Sequence, residues 1–236
     1  MNRTAKQIGY GAFYLAFIAL VLFGVFSPEV PSRGGLEVRL PEGLRPLEMR
    51  GEVTVMPAAD GSISLLAQVR NPNAEHLASS FSYSFRFMEN GVVRATTPAR
   101  TWFVYPSETS VLVEIVSGVV HTEHTEVTLM VTDVVWEPTR FLVRPALSLR
   151  GVGTSVDEKG VFVTGEVVNA GSVAASSVRV VAILKDAGGY PVFAASSALG
   201  PLGGDSTEPF TVRFPPDQEL ARRMIPSATE LHLEAQ

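Results

Sequence analysis

The chain has 236 residues, 46% of them apolar and 18% charged, which leaves room for a targeting segment and one or two domains with real cores and excludes a disordered or fibrous chain. Cysteine is absent, so disulfide staples, thiolate nucleophiles and thiolate-rich zinc or iron-sulfur sites are excluded. The formal net charge is −5, and the densest basic cluster is only Arg222-Arg223 beside Asp217 and Glu219, which argues against nucleic acid as a partner.

Residues 1–7 carry Arg3 and Lys6 and no acid. Residues 8–26 (IGYGAFYLAFIALVLFGVF) are uncharged, and as a helix at ~1.5 Å per residue they extend about 28 Å, close to the hydrocarbon thickness of a bilayer. Tyr10 and Tyr14 suit the interface at one end, and Pro28 and Pro31 end the helix at the other. Charges of mixed sign come next (Glu29, Arg33, Glu37, Arg39). The positive-inside bias therefore keeps the N-terminus cytoplasmic and puts the chain beyond about Ser27 outside. A cleaved signal peptide has an apolar region of roughly 7–15 residues and a small-x-small site. Here the run is longer and the cleavage registers are poor, so the expectation is an uncleaved transmembrane helix.

After a Pro/Gly-rich tether at residues 27–35, short β-type runs alternate with turn signals and no 3.6-residue period is sustained. Phe81, Tyr83, Phe85 and Phe87 alternate with polar residues, the pattern of a half-buried antiparallel strand, and Asn90-Gly91 supplies the positive-φ pair of a tight hairpin. Shifting the chain by 98 residues lays Val69-Arg70-Asn71-Pro72 on Val167-Val168-Asn169-Ala170 and Ser107-Glu108-Thr109 on Asp205-Ser206-Thr207. The strand at 81–87 meets Val178-Val180-Ala182-Leu184 only at 97, so one bulge or loop residue differs. Asp60-Gly61 and Asp157-Glu158-Lys159-Gly160 occupy matching hairpin turns. The expected fold is all-β: two tandem immunoglobulin-like antiparallel β-sandwiches at residues 36–139 and 141–236, preceded by one N-terminal transmembrane helix. The short connector Trp136-Glu137-Pro138-Thr139-Arg140, with Trp136, Phe141 and Val143 around it, predicts a limited hinge. Residues 217–224 form the one short helix candidate, with Asp217 as N-cap.

Asn71-Pro72-Asn73, the aromatic strand and Asn90-Gly91 resemble the Asn-Pro-Asn corner of late-embryogenesis-abundant type 2 (WHy) domains. Phe162-x-x-Gly165-x-Val167-x-Asn169, through Lys185-Asp186-x-Gly188 to Gly204-Asp205-Ser206, is similar to FxLYD domains. The whole arrangement is similar to membrane-anchored surface proteins of Patescibacteria-like candidate-phylum bacteria. These resemblances imply architecture and location but no mechanism.

Candidate chemistry is sparse. His121-Thr122-Glu123-His124-Thr125-Glu126 puts its ligand types on opposite faces of a strand and lacks the His-Glu-x-x-His spacing, so no metal is expected. Gly200-Pro201-Leu202-Gly203-Gly204-Asp205 is a strand connection without the lysine of a phosphate loop. No nucleophile elbow, dinucleotide fingerprint or EF-hand spacing occurs, and no cofactor is expected. Trp102-Phe103-Val104-Tyr105 cannot all face one core. They are either a strand covered on its outer face by the neighbouring domain or a recognition patch. Trp102, Phe103 and Tyr105, with the corner residues Asn71 and Asn73, are the candidate interaction surface. The expected function is a non-enzymatic, membrane-anchored, extracytoplasmic interaction or scaffold module with a protein or glycan partner. The alternatives are a stress- or lipid-interacting sandwich and, third, an unrecognised hydrolase.

Overall fold

In the computed structural model, which describes residues 43–236 apart from 120, 123 and 159, the aromatic alternation at 81–87 lies inside a long antiparallel strand, His76–Glu89. Phe81, Tyr83, Phe85 and Phe87 point into a core, while Ser80, Ser82, Ser84 and Arg86 on the other face are half-buried. The predicted membrane helix at residues 8–26 and the tether at 27–35 lie outside the described residues.

The described chain is almost entirely β. Its first part supplies β1 (Glu48–Met49), β2 (Thr54–Pro57), β3 (Ile63–Arg70), β4 (His76–Glu89), β5 (Val92–Thr96), β6 (Arg100–Val104), β7 (Thr109–Val116) and β8 (Thr125–Pro138). After a 3-10 turn at Thr139–Phe141 come β9 (Leu147–Asp157), β10 (Gly160–Asn169), β11 (Val178–Lys185), β12 (Pro191–Leu199), β13 (Ser206–Arg213), helix α1 (Gln218–Arg223) and β14 (Glu230–Ala235). Every ladder is antiparallel, and no sheet mixes strands of the two parts.

The two halves share a wiring plan. In the first, β3 is flanked by β1 and β2 on one side and β7 on the other, while β4 is flanked by β5 and β6 on one side and β8 on the other. In the second, β10 lies between β9 and β13, and β11 between β12 and β14. Each half thus has two sheets built on adjacent central strands, the second with fewer breaks.

The corner asparagines show the same duplication at atomic scale. Asn71 is fully buried; its Nδ2 donates to the carbonyls of His76 (2.7 Å) and Val104 (3.3 Å), and its Oδ1 accepts from Asn73 N (2.9 Å). Asn169 repeats this, donating to Val173 O (2.7 Å) and Gly203 O (2.9 Å) and accepting from Gly171 N (3.2 Å). Ser107 and Asp205, which close the corners with φ of 60° and 52°, donate their N–H to Asn73 O and Gly171 O. Asn71 reaches five residues ahead and Asn169 four, so the second corner is one residue shorter. That loop residue accounts for the repeat slipping from 98 to 97. Asn73 also acts beyond its own corner, where its amide pairs with both main-chain groups of Arg45 (2.9 and 2.8 Å) and fixes the chain just before β1.

Packing departs from the expected hinge. Leu44–Gln236 form one compact unit, and the halves meet through a continuous apolar core. Inward-facing Leu65, Ala67, Val69 and Leu112 join the aromatic strand in the first core, but Met56, Leu66, Val111 and Val113, on the other faces of β2, β3 and β7, join the core of the second half. Strands β3 and β11 are therefore buried on both faces, which is why their sequences (ISLLAQV and VRVVAIL) are nearly continuous apolar runs. Of the connector residues, Trp136 packs on the first core and Val143 is exposed, so the halves are held by sheet faces rather than by the connector. The side chain of Phe141 lies outside the described residues.

Gly165 illustrates how tightly the second half is built. It sits at a register shift between β10 and β9, opposite Phe210 on β13. A Cβ there would lie 2.8 Å from the Phe210 ring and 3.1 Å from Arg150 O. Gly165→Ala is expected to lower stability by about 1–3 kcal/mol. Gly153→Ala, where a Cβ meets nothing within 4 Å, should stay within about 0.5 kcal/mol of the parent in the same thermal melts.

Candidate functional site

The least ordinary chemistry lies at the seam between the halves. Arg179 on β11 and Glu234 on β14 are cross-strand neighbours, and their side chains form an ion pair only 8% and 13% exposed. Buried charges need every lone pair and proton engaged, and the first half provides those partners. Glu234 Oε1 accepts from Val111 N (2.8 Å) and Ser110 Oγ (2.7 Å), and Oε2 from Trp102 Nε1 (2.9 Å). Arg179 Nη2 donates to Val111 O (2.9 Å), and the guanidinium lies 3.7 Å from the centroid of the Trp102 ring. The pair thus saturates both main-chain groups of Val111, which point away from β3, as a neighbouring strand would. Burial pushes the nearby Tyr83 phenol above its usual pKa, against the opposing pull of Arg179.

Further bonds cross the same seam. Ser64 Oγ donates to Ala194 O (2.7 Å), Tyr105 OH to Ala235 O (2.9 Å), and Gln236 Nε2 to Ser79 O (3.0 Å). Asp217 caps α1 through Oδ1, which accepts from Glu219 N and Leu220 N, while its Oδ2 accepts from Ala59 N (2.8 Å) in the β2–β3 turn. The Ala59 amide, with those of Leu220 and Glu219, holds the Asp217 carboxyl below the usual aspartate range despite its burial.

A groove of about 360 Å³ opens beside this node, between the ends of β6 and β7, the start of β9 and the outer edge of β14. Its rim carries Arg144, bonded to Glu108 through both Nη atoms (2.6 and 3.1 Å) and lying 3.8 Å over the Tyr105 ring. A second cavity, about 350 Å³, lies among Phe87, Arg94, Gly118 and Thr122 at the hairpin end of the first half.

The five candidate interaction residues fall into two groups. Asn71 and Asn73 are buried in the corner and spend their amides on the chain's own backbone. Phe103 and Tyr105 are buried with Leu77, and Trp102, half-buried, bonds to Glu234. Of the two readings of Trp102-Phe103-Val104-Tyr105, the geometry matches a strand with Val104 in the first core and its aromatic neighbours against the second half. His121 and His124 lie on the β7–β8 connection, where Thr122 and Thr125 bond to one another, and Glu123 lies outside the described residues. Among the described residues no group of three or more His, Cys, Asp or Glu is placed to hold a metal. Sequence inspection missed Arg179 and Glu234. The available signal was a lone arginine inside Val178-Arg179-Val180-Val181-Ala182-Ile183-Leu184, a charge that burial would force into a partnership. Comparison with protein-family models and with curated proteins finds no match to this chain.

Removing either member of the seam pair strands the other. Glu234→Gln or Arg179→Met is expected to cost about 3–5 kcal/mol in urea unfolding followed by intrinsic fluorescence. The double variant Arg179→Met/Glu234→Leu is expected to stay well below the parent, because Val111, Ser110 and Trp102 lose their partners with it, at about 1–3 kcal/mol per orphaned group.

Proposed function

We propose that this chain is a non-enzymatic, membrane-anchored extracytoplasmic protein, an interaction or scaffold module of the envelope or cell surface that engages a protein or glycan partner. In this reading residues 8–26 are the anchor, and the described halves are immunoglobulin-like sandwiches of the FxLYD and WHy kind. The observation that carries it is the seam. Two halves with one wiring plan are joined by a shared apolar core and a buried, hydrogen-bonded ion pair, so surfaces on both are offered in fixed relative geometry. That arrangement suits a display or spacing element, and the uncharged 19-residue run at residues 8–26 supplies an attachment.

The test uses the intact chain in cells. It should fractionate with membranes with residues 1–26 retained, and crosslinking on intact cells should recover an envelope protein or glycan. A soluble product beginning near Arg33, or crosslinking that recovers no envelope partner, contradicts the proposal.

A further inference from the structure

The outer face of β4 carries a charge and hydroxyls that the fold does not use. Arg86 stands on it between Thr96 of β5 and Thr128 of β8, its cross-strand neighbours. Its Nε is buried without a hydrogen-bond partner, and no ion pair holds the guanidinium among the described residues. It is the one half-buried arginine there with no carboxylate: Arg70 pairs with Glu48, and the fully buried Arg179 with Glu234. Drawing a guanidinium partly out of water costs free energy that no bond within the chain offsets here. The hydroxyls around it are also unspent. Ser82, Ser84, Thr96, Thr101 and Thr128 are half-buried or exposed and make no side-chain hydrogen bond among the described residues, whereas Thr132 donates to Asp133 (2.9 Å).

The register sets these groups out as a grid. From Ser82 to Arg86 the β4–β8 ladder has no shift, so Thr101, Ser82 and Thr132 make one rung and Thr96, Arg86 and Thr128 another, four residues on. At the usual strand spacing and rise the grid measures about 10 by 13 Å, the scale of a short oligosaccharide. Ser84 and Met130 lie between the rungs. Met130 belongs to none of the apolar clusters, and the second half packs on β2, β3 and β7 instead.

That chemistry selects an occupant. An apolar partner would strand the guanidinium, and a polyanion needs several cations where this face has one. A sugar bearing a carboxylate fits both features: a guanidinium takes a carboxylate through two parallel bonds, and serine and threonine hydroxyls both donate to and accept from sugar hydroxyls. Glu126, exposed on the same face opposite Met88, repels a second anion beyond Arg86. We infer that the outer face of β4 binds an acidic glycan, its carboxylate on Arg86 and its hydroxyls on the serines and threonines around it. This rests on the interaction-module reading and names the partner's chemistry.

The probe is an array of neutral, carboxylated, sulfated and phosphorylated oligosaccharides, to which the full chain is applied in detergent beside its variants. Arg86→Met removes the charge and no internal bond, so its melting temperature is expected to equal or exceed the parent's, whereas loss of a structural arginine would lower it. Carboxylated saccharides are expected to be retained above their neutral analogues. Their affinity should fall about tenfold or more on Arg86→Met, and severalfold on Thr96→Val/Thr128→Val, which keeps side-chain shape and reads the same site should Arg86→Met not fold. Retention of no carboxylated saccharide above its neutral analogue, or equal retention by the parent and the folded variants, overturns the inference. Preference for sulfated or phosphorylated saccharides overturns the carboxylate assignment. If crosslinking on intact cells recovers an envelope protein while no carboxylated saccharide is retained, the glycan site fails and the interaction-module reading stands. If saccharide is retained through Arg86 but the chain is released from membranes, the glycan site stands and the anchored reading fails.

Discussion

A guanidinium and a carboxylate taken out of water cost several kcal/mol each unless they are paired and hydrogen-bonded, and in this protein both Glu234 oxygens and Arg179 Nη2 complete their bonding only when the halves are together. Arg179 and Glu234 belong to the second half, but the groups that complete their hydrogen bonding, the Val111 peptide, Ser110 and Trp102, belong to the first. Separated halves would leave a paired but under-bonded charge on one side and a strand edge on the other. The pair therefore links the folding of the second half to the docking of the first.

The rest of the architecture depends on that link. Because the outer faces of β2, β3 and β7 are committed to the seam, Met56, Leu66, Val111 and Val113 add to the second core, and β3 and β11 carry apolar residues at both parities. Asp217 works at the hairpin end much as Glu234 works farther along, with one oxygen on its own helix and the other on Ala59 of the first half. The corner asparagines act within each half: Asn71 and Asn169 tie a turn to the strand connection beside it, and Asn73 also secures Arg45. Corners hold each half; a shared apolar core with buried charges inside the seam holds the halves to each other.

Much of this is legible in the amino-acid order alone. The alternation at 81–87, the Asn90-Gly91 hairpin, the α1 cap at Asp217 and the equivalence of Asn71 with Asn169 are local signals, set by side-chain period, positive φ and short-range hydrogen bonding, and they survive into the structure. The seam is not legible, because it joins residues 68 or more positions apart and period alone cannot tell a strand buried on both faces from one half-exposed. Arg179 inside an apolar run is the visible clue, while its partner Glu234 lies in an alternating segment that resembles any exposed edge. The candidate surface illustrates the same limit: period alone leaves open what Trp102, Phe103 and Tyr105 face, and in the structure Trp102 and Tyr105 bond to Glu234 and Ala235 of the other half while Phe103 is buried beside them.

Pulsed hydrogen exchange with peptide-level mass spectrometry of the intact chain across a urea series reads whether the seam makes the halves one cooperative unit. Peptides from β4 and β7 and peptides from β10 and β11 should lose protection at one common midpoint. Separate midpoints for the two halves would mean that they unfold independently and that the seam does not couple them.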